Sequence, residues 1–312
     1  MIKIPIAFSF DNNLVLPACV TITSLLKSAN EDTFYDIFIL HSSKCKLDKQ
    51  ELDKLPNYFS NCRIQYRVVG DIFDDAFEIR GVTTPTYYRL LIPELISEYD
   101  KVIYADVDIV FRMDLQELYQ MNLDDYYVAA THDLGMNLSA DGKKYIDSMP
   151  ELEQGKYLQA GFIVLNSKKI RENHLVDKFK NLVKNKYKYQ DQDILNVSCK
   201  GKIKFLSPYY NMTDYSFYYA ISEREEFLKM FSEKVLSIGL EKGTLHFNGH
   251  KPWKKYSVNF DIWWEVYRKS PFFDQKYYFD FYYNRLNELD QLSLWKRIKI
   301  LIRYFVYGKR KI

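Results

Sequence analysis

Apolar and polar positions fall in alternating blocks along the first half of the chain. Residues 4–10 form a short, nearly continuous apolar run that breaks at Asp11, Asn12 and Asn13. Such a run is the signature of a strand buried on both faces. Residues 14–26 then read as an apolar helix, 35–40 as a second buried strand, 46–55 as a polar helix and 63–69 as a third strand. Residues 87–95 are expected to be helical with Thr86 as the N-cap, 101–105 a short strand, 115–121 a helix and 126–131 another strand. Strands and helices alternating at this spacing predict βαβ units around a largely parallel sheet, an α/β fold. The second half is less regular. Residues 162–165 read as a strand, 167–186 as one long amphipathic helix, 191–199 as a short helix, and 223–232 and 260–268 as further helices. No repeat or low-complexity linker interrupts the pattern before about residue 255, so 1–255 is expected to form one domain and 256–312 a helical C-terminal extension.

The composition adds little to this picture but excludes several classes. With 47% hydrophobic and 27% charged residues, the chain resembles an ordinary globular protein. Cys19, Cys45, Cys62 and Cys199 are scattered without a C-x-x-C pair, which suggests neither a zinc site nor a disulfide framework and makes a reducing compartment the default. The first ten residues lack the length and cleavage site of a signal peptide, and no apolar stretch reaches a membrane span, so a cytoplasmic location is expected. The net charge of +3 hides an asymmetry: residues 296–312 carry seven Lys or Arg and no acid, leaving 37 basic against 41 acidic residues elsewhere. A mildly acidic body disfavours nucleic acid as a partner. The 27 tyrosines reflect a compositional bias or supply flat platforms for sugar rings.

Three segments can carry chemistry. Asp106 and Asp108 close the apolar run 101–105, where alternation along extended backbone would aim both carboxylates the same way. Carboxyl ends of strands are where ligands collect in open α/β sheets. Two like charges buried there call for a divalent cation with oxygen ligands; a polar strand end facing water is the alternative. In the second segment, His246-Phe247-Asn248-Gly249-His250-Lys251-Pro252-Trp253, Lys251 can pair with phosphate, Gly249 allows close backbone approach and His246 can complete a mixed oxygen and nitrogen set suited to Mn²⁺. A helical zinc pair of His246 and His250 is opposed by Gly249 and Pro252, and a purely structural histidine stays open. The third, Tyr189-Gln190-Asp191-Gln192-Asp193, reads either as polar site residues or as an acidic helix start. No G-x-G-x-x-G follows the first strand and no G-x-x-x-x-G-K-[ST] occurs, which argues against a nicotinamide dehydrogenase and a P-loop NTPase.

Taken in order, the segments Ala7-Phe8-Ser9-Phe10-Asp11-Asn12-Asn13, Thr86-Tyr87-Tyr88-Arg89-Leu90, Tyr104-Ala105-Asp106-Val107-Asp108, Ala160-Gly161-Phe162, Tyr189 to Asp193 and His246 to Trp253 resemble glycosyltransferase family 8. That family includes bacterial lipopolysaccharide galactosyl- and glucosyltransferases. The resemblance implies a GT-A fold, in which a Rossmann-like nucleotide-binding half continues into a mixed-sheet acceptor half. It implies a retaining hexosyltransferase that takes galactose or glucose from a UDP-sugar, needs Mn²⁺ or Mg²⁺, and acts on a glycan or lipid-linked saccharide. By position, Asp11 and Asn13 would contact the nucleotide. Arg89, Asp133, Gln159 and Ala160 would lie near the sugar and diphosphate. Asp106, Asp108 and His246 would bind the metal, Gly249 and Lys251 the diphosphate, and Asp191 and Gln192 would line the transfer site. Gln159 stands where many relatives have Asn, and the spacing from His246 to Lys251 is one residue short of the usual pattern. A nucleotide-sugar-binding protein without transferase activity is the rival reading.

In the tail, Leu294, Ile298, Leu301 and Phe305 share one helical face with Ile302 beside them, while Lys296, Lys299 and Arg303 lie opposite and Lys309, Arg310 and Lys311 follow. A basic amphipathic helix of this kind suits an anionic membrane surface, which would hold the protein peripherally on the inner face of the membrane. Packing against the protein's own body is the alternative.

Overall fold

The computed structural model describes residues 1–307 apart from 45, 74–75, 80–82 and 289, and the side chain of Tyr307. Cys45 and the cluster Lys309, Arg310 and Lys311 therefore lie outside the described residues. Ten strands are described: β1 (Ile2–Ser9), β2 (Thr33–Ser42), β3 (Cys62–Val69), β4 (Val102–Ala105), β5 (Ile109–Val110), β6 (Val128–His132), β7 (Leu158–Leu165), β8 (Ile203–Leu206), β9 (Met212–Thr213) and β10 (Leu245–His246). Seven of them form one sheet in the order β3-β2-β1-β4-β7-β6-β8. All neighbours are parallel except where β7 lies antiparallel between β4 and β6. The apolar runs become the central strands because helices cover both faces: Ile4, Ile6, Phe8, Ile37 and Ile39 have no exposed surface.

The antiparallel strand decides where the site forms. All eight residues of β7 are buried, and its register pairs Ala105 with Phe162 and His132 with Leu158. The start of β7 therefore lies beside the carboxyl ends of β4 and β6, next to the end of β1. A second, three-stranded sheet in the order β5-β10-β9 sits just past the end of β4. It pairs Ile109 with His246 and His246 with Thr213, which brings the far C-terminal histidine to the β4–β5 corner.

Several expected elements differ, each for a local reason. Residues 46–55 do not form one helix, because the Asn12 side chain donates to Lys46 O at 2.9 Å and accepts from Asp48 N at 2.7 Å. Only the short turns Leu52–Lys54 and Leu55–Tyr58 follow. The helix expected over 87–95 begins as the 3₁₀ helix Thr84–Leu91, with Thr83 at its N-cap position, and becomes α-helical only at Ile92–Leu95; Thr86 is no cap and turns its hydroxyl elsewhere. The expected helix over 167–186 breaks into Ser167–Glu172 and Leu175–Leu182, with His174 left-handed at φ 53° between them. Phe260–Arg268 is helical as read.

The chain divides into two compact units, Met1–Ser270 and Pro271–Ile312. The second contains the helices Gln275–Leu286 and Leu294–Tyr307. In the last helix Leu294, Leu301, Ile302 and Phe305 are exposed. Among the described residues no helix is long and apolar enough to cross a membrane.

Candidate active site

Asp106 and Asp108 are positioned by a turn and not by extended alternation. β4 ends at Ala105, and residues 107–108 turn the chain into β5. The turn is pinned on one side by Asp106 N donating to Gly161 O at 2.8 Å and on the other by Phe247 N donating to Asp108 O at 2.9 Å. His246 Nε2 then lies 3.4 Å from Asp108 Oδ1 and 3.8 Å from Asp106 Oδ2. One ligand atom from each of the three residues falls within 4.8 Å of the others.

Two features fit this cluster to a divalent cation. Asp108 Oδ1 is buried with no hydrogen-bond partner, a costly state unless a cation faces it. Gly161 leaves the space open, since a Cβ there would come within 2.4 Å of His246 Cε1 and 2.5 Å of Asp106 Oδ2. Two carboxylates and an imidazole make the mixed donor set that Mn²⁺ accepts.

Cationic side chains bind the same carboxylates from outside the cluster. Arg89 is buried and spans two of them, with Nη2 2.9 Å from Asp106 Oδ1 and Nε 3.1 Å from Asp191 Oδ2. Its Nη1 donates to Ala160 O at 2.6 Å, and its guanidinium lies 4.3 Å from the centre of the Tyr104 ring. Burial works against the Arg89 charge, but the flanking Asp106 and Asp191 carboxylates more than compensate and hold its pKa above the ordinary arginine value. Lys251 Nζ bonds Asp108 Oδ2 and donates to Phe247 O at 2.7 Å. Burial alone would raise the Asp108 pKa; Lys251 and His246 outweigh it and hold the carboxyl well below the usual range.

Asp191 lies in the first turn of the helix Gln190–Ser198. Thr86 Oγ1 donates to its Oδ1 at 2.8 Å, so both carboxylate oxygens are engaged. Burial pushes its pKa up to about 6, against the opposing pull of Arg89. Gln192 has both amide atoms committed: Oε1 accepts from Ala160 N at 3.0 Å and Nε2 donates to Asp133 Oδ2 at 3.1 Å. Asp133 caps the helix Leu134–Leu138 by accepting from Met136 N at 3.0 Å, and burial raises its pKa.

These groups line a cavity of about 980 Å³, at the upper end of the range for small-molecule sites. Asp11, Arg89, Asp106, Asp108, Asp133, Gln159, Ala160, Asp191, Gln192, His246 and Lys251 all border it. Asn13 and Gly249 do not. The backbone N–H of Asn13 closes onto Asp11 Oδ1 at 2.9 Å, and Gly249 is exposed with its α-carbon face against Asp214. Tyr145, Tyr189 and Tyr215 supply the aromatic surface. The sequence did not mark Thr86, Tyr104 or Asn211 as site residues, Thr86 being read only as a helix cap. Tyr104 donates to Asp106 Oδ1 at 2.8 Å, and Asn211 Oδ1 lies 2.9 Å from His246 Nδ1. Tyr104 could have been found by its place two residues before Asp106; Asn211 carries no local signal.

Comparison with known proteins bears on the whole assembly. The glycosyl transferase family 8 pattern matches residues 5–257. A putative glycosyltransferase of Haemophilus influenzae is 33% identical over 215 residues, covering 67% of this chain and 63% of that protein's length. The lipopolysaccharide 1,2-glucosyltransferase of Escherichia coli K12 is 26% identical over 81% of this chain and 73% of its own. The crystal structure of the galactosyltransferase LgtC, solved with donor and acceptor sugar analogues, superposes with a TM-score of 0.69 at 23% identity, covering 88% of this chain and 99% of that one. The chain thus belongs to glycosyl transferase family 8 and has the GT-A fold.

Proposed function

We propose that this protein is a retaining hexosyltransferase that moves galactose or glucose from a UDP-sugar to a glycan or glycolipid acceptor, with Mn²⁺ or Mg²⁺ as its cofactor. The observation that carries this reading is the convergence of Asp106, Asp108 and His246 at a cavity that Asp191 and Gln192 also line. Asp106, Asp108 and His246 would hold the ion, which supplies fixed positive charge for a departing diphosphate. Lys251 borders the same edge and would add a donor to the diphosphate. Asp11, at the end of β1, would meet the nucleotide, with Asn13 holding that carboxylate in place.

Retention allows a covalent intermediate or attack on the face that the leaving group vacates. Attack on that same face is supported by the state of the two candidate nucleophiles. Asp191 has both oxygens bonded, to Thr86 and Arg89, and the Gln192 amide is bonded at both ends. Their task is then to hold the donor sugar and the acceptor hydroxyl in line. The name of the Escherichia coli relative points to a lipopolysaccharide acceptor. The exposed apolar face of the helix Leu294–Tyr307, opposite Lys296, Lys299 and Arg303, supports attachment to an anionic membrane surface on the cytoplasmic side.

The test is UDP release from a panel of nucleotide sugars, with Mn²⁺ and with chelator, on wild type and Asp108→Ala. Metal-dependent turnover of one or two UDP-hexoses, lost in the variant, is expected. UDP binding without turnover, even with saccharide acceptors, would favour a binding protein, and no UDP binding would overturn the donor assignment. Truncation after Leu292 is expected to abolish binding to anionic liposomes; unchanged binding would refute the membrane role of the tail.

A further inference from the structure

We infer that Asn211, held in place by Gln159, is a positioning residue that locks His246 as the Nδ1–H tautomer with its bare Nε2 turned to Asp106 and Asp108. The orientation can be traced from a group whose role is not in question. The backbone N–H of Gly161 can only donate, and it donates to Gln159 Oε1 at 2.8 Å. That atom is therefore the amide oxygen, and the Asn211 atom 2.8 Å from it must be the Nδ2 donor. A second contact of Asn211 Nδ2, to Thr131 Oγ1 at 3.3 Å, agrees with that orientation. Asn211 Oδ1 is then left facing His246 Nδ1 at 2.9 Å, where it can only accept. So Nδ1 carries a proton, and Nε2 is the ring position left to face the carboxylate cluster, where it would offer its lone pair to a cation.

Burial makes this chain of bonds rigid. Gln159, Asn211 and His246 are 7%, 1% and 3% exposed, so water does not compete for these bonds. The relay crosses three separate strands or loops: Gln159 is on β7, Asn211 precedes β9 and His246 is on β10. Metal-bound histidines ordinarily donate their second N–H to a fixed acceptor, and losing that acceptor typically costs about 10- to 100-fold in metal affinity.

The inference rests on the metal reading of the cluster, and two measurements keep the two apart. The first is the side-chain ¹⁵N spectrum of His246 in metal-free wild type, recorded with the ring neutral. A protonated Nδ1 and bare Nε2 are expected; a protonated Nε2 would overturn the proposal whether or not a metal binds. The second is Mn²⁺ affinity by electron paramagnetic resonance for wild type, Asn211→Ala and Asn211→Asp. Asn211→Ala should weaken Mn²⁺ binding about 10- to 100-fold, and Asn211→Asp, which keeps an acceptor on Nδ1–H but loses the donor to Gln159 Oε1, should recover only part of the loss. Wild-type affinity in a folded Asn211→Ala protein would refute the role. No Mn²⁺ binding by the wild type would overturn the metal reading instead, and the ¹⁵N spectrum would still decide the tautomer. If Asn211→Ala does not fold, the same spectrum remains decisive.

Discussion

Asp108 and Asp191 face the same cavity with little exposed side chain, 13% and 6%, yet their surroundings drive them in opposite directions. For both, burial is the largest influence and disfavours the charged form. At the β4–β5 corner it is overcome, because Lys251 and His246 both approach Asp108, and Asp108 stays ionised far into acid. Arg89, by contrast, is shared between Asp106 and Asp191, and half a counter-charge does not offset desolvation, so Asp191 rises to about 6. Similar burial therefore yields an anion in the Asp106–Asp108–His246 cluster and a proton-sensitive carboxyl beside Arg89. The difference lies in how the cations are distributed.

The largest test of this contrast is Asp108→Ala. It removes a proposed metal ligand and strands Lys251, and turnover of the donor should fall by about 10³-fold, the scale of losing a preorganised electrostatic group. An active variant in the UDP-release assay would remove Asp108 from the chemistry. Gly161→Ala follows. Its Cβ would press on His246 and Asp106, so Mn²⁺ affinity should drop about 100-fold, on the scale of disturbing a ligand's orientation. Titration by electron paramagnetic resonance checks it, and unchanged affinity would mean that the cluster is not the cation site.

Asp191 offers a pH-dependent test. Its folded pKa of about 6 lies above the ordinary 3.8, so the folded form binds the proton more tightly than the unfolded chain. The sign is that this residue lowers stability as pH rises from about 4 to about 6, by an amount on the order of 3 kcal/mol, and nothing further is lost above that window. Asp108 has the opposite sign: its depressed pKa gives stability that is present above about pH 4 and is lost as pH falls further. Urea denaturation at a series of pH values should show a flatter profile between about 4 and 6 for Asp191→Asn. An unaltered slope would refute the raised pKa. The smallest effect is expected from Thr86→Val, which removes one hydrogen bond to Asp191 and one from Arg89 and should cost about 1.5 kcal/mol of stability. A Thr86→Val protein as stable as wild type would show that Arg89 alone holds Asp191.

What the sequence determined by itself was whatever local pattern can carry. The strands near residues 4–10 and 35–40 were legible because burial on both faces leaves a nearly continuous apolar run, the half-exposed edge strand near 63–69 because Ile64, Tyr66, Val68 and Val69 favour extended backbone, and Asp106 and Asp108 because they close an apolar run. The residue types alone offered His246 as one possible third ligand beside those aspartates, and family resemblance singled that option out, since nothing in the spacing links residues 106 and 246. The tertiary structure alone decided the antiparallel insertion of β7, the turn that aims the carboxylates, the use of Thr86 as a partner of Asp191 instead of a cap, and the relay through Asn211. β9 and β10 are two residues each, too short to leave a periodic trace, and they exist because they pair with each other and β10 with β5. Strand pairing and buried hydrogen bonds join residues far apart in the chain, so their partners are chosen by packing and not by the neighbouring sequence.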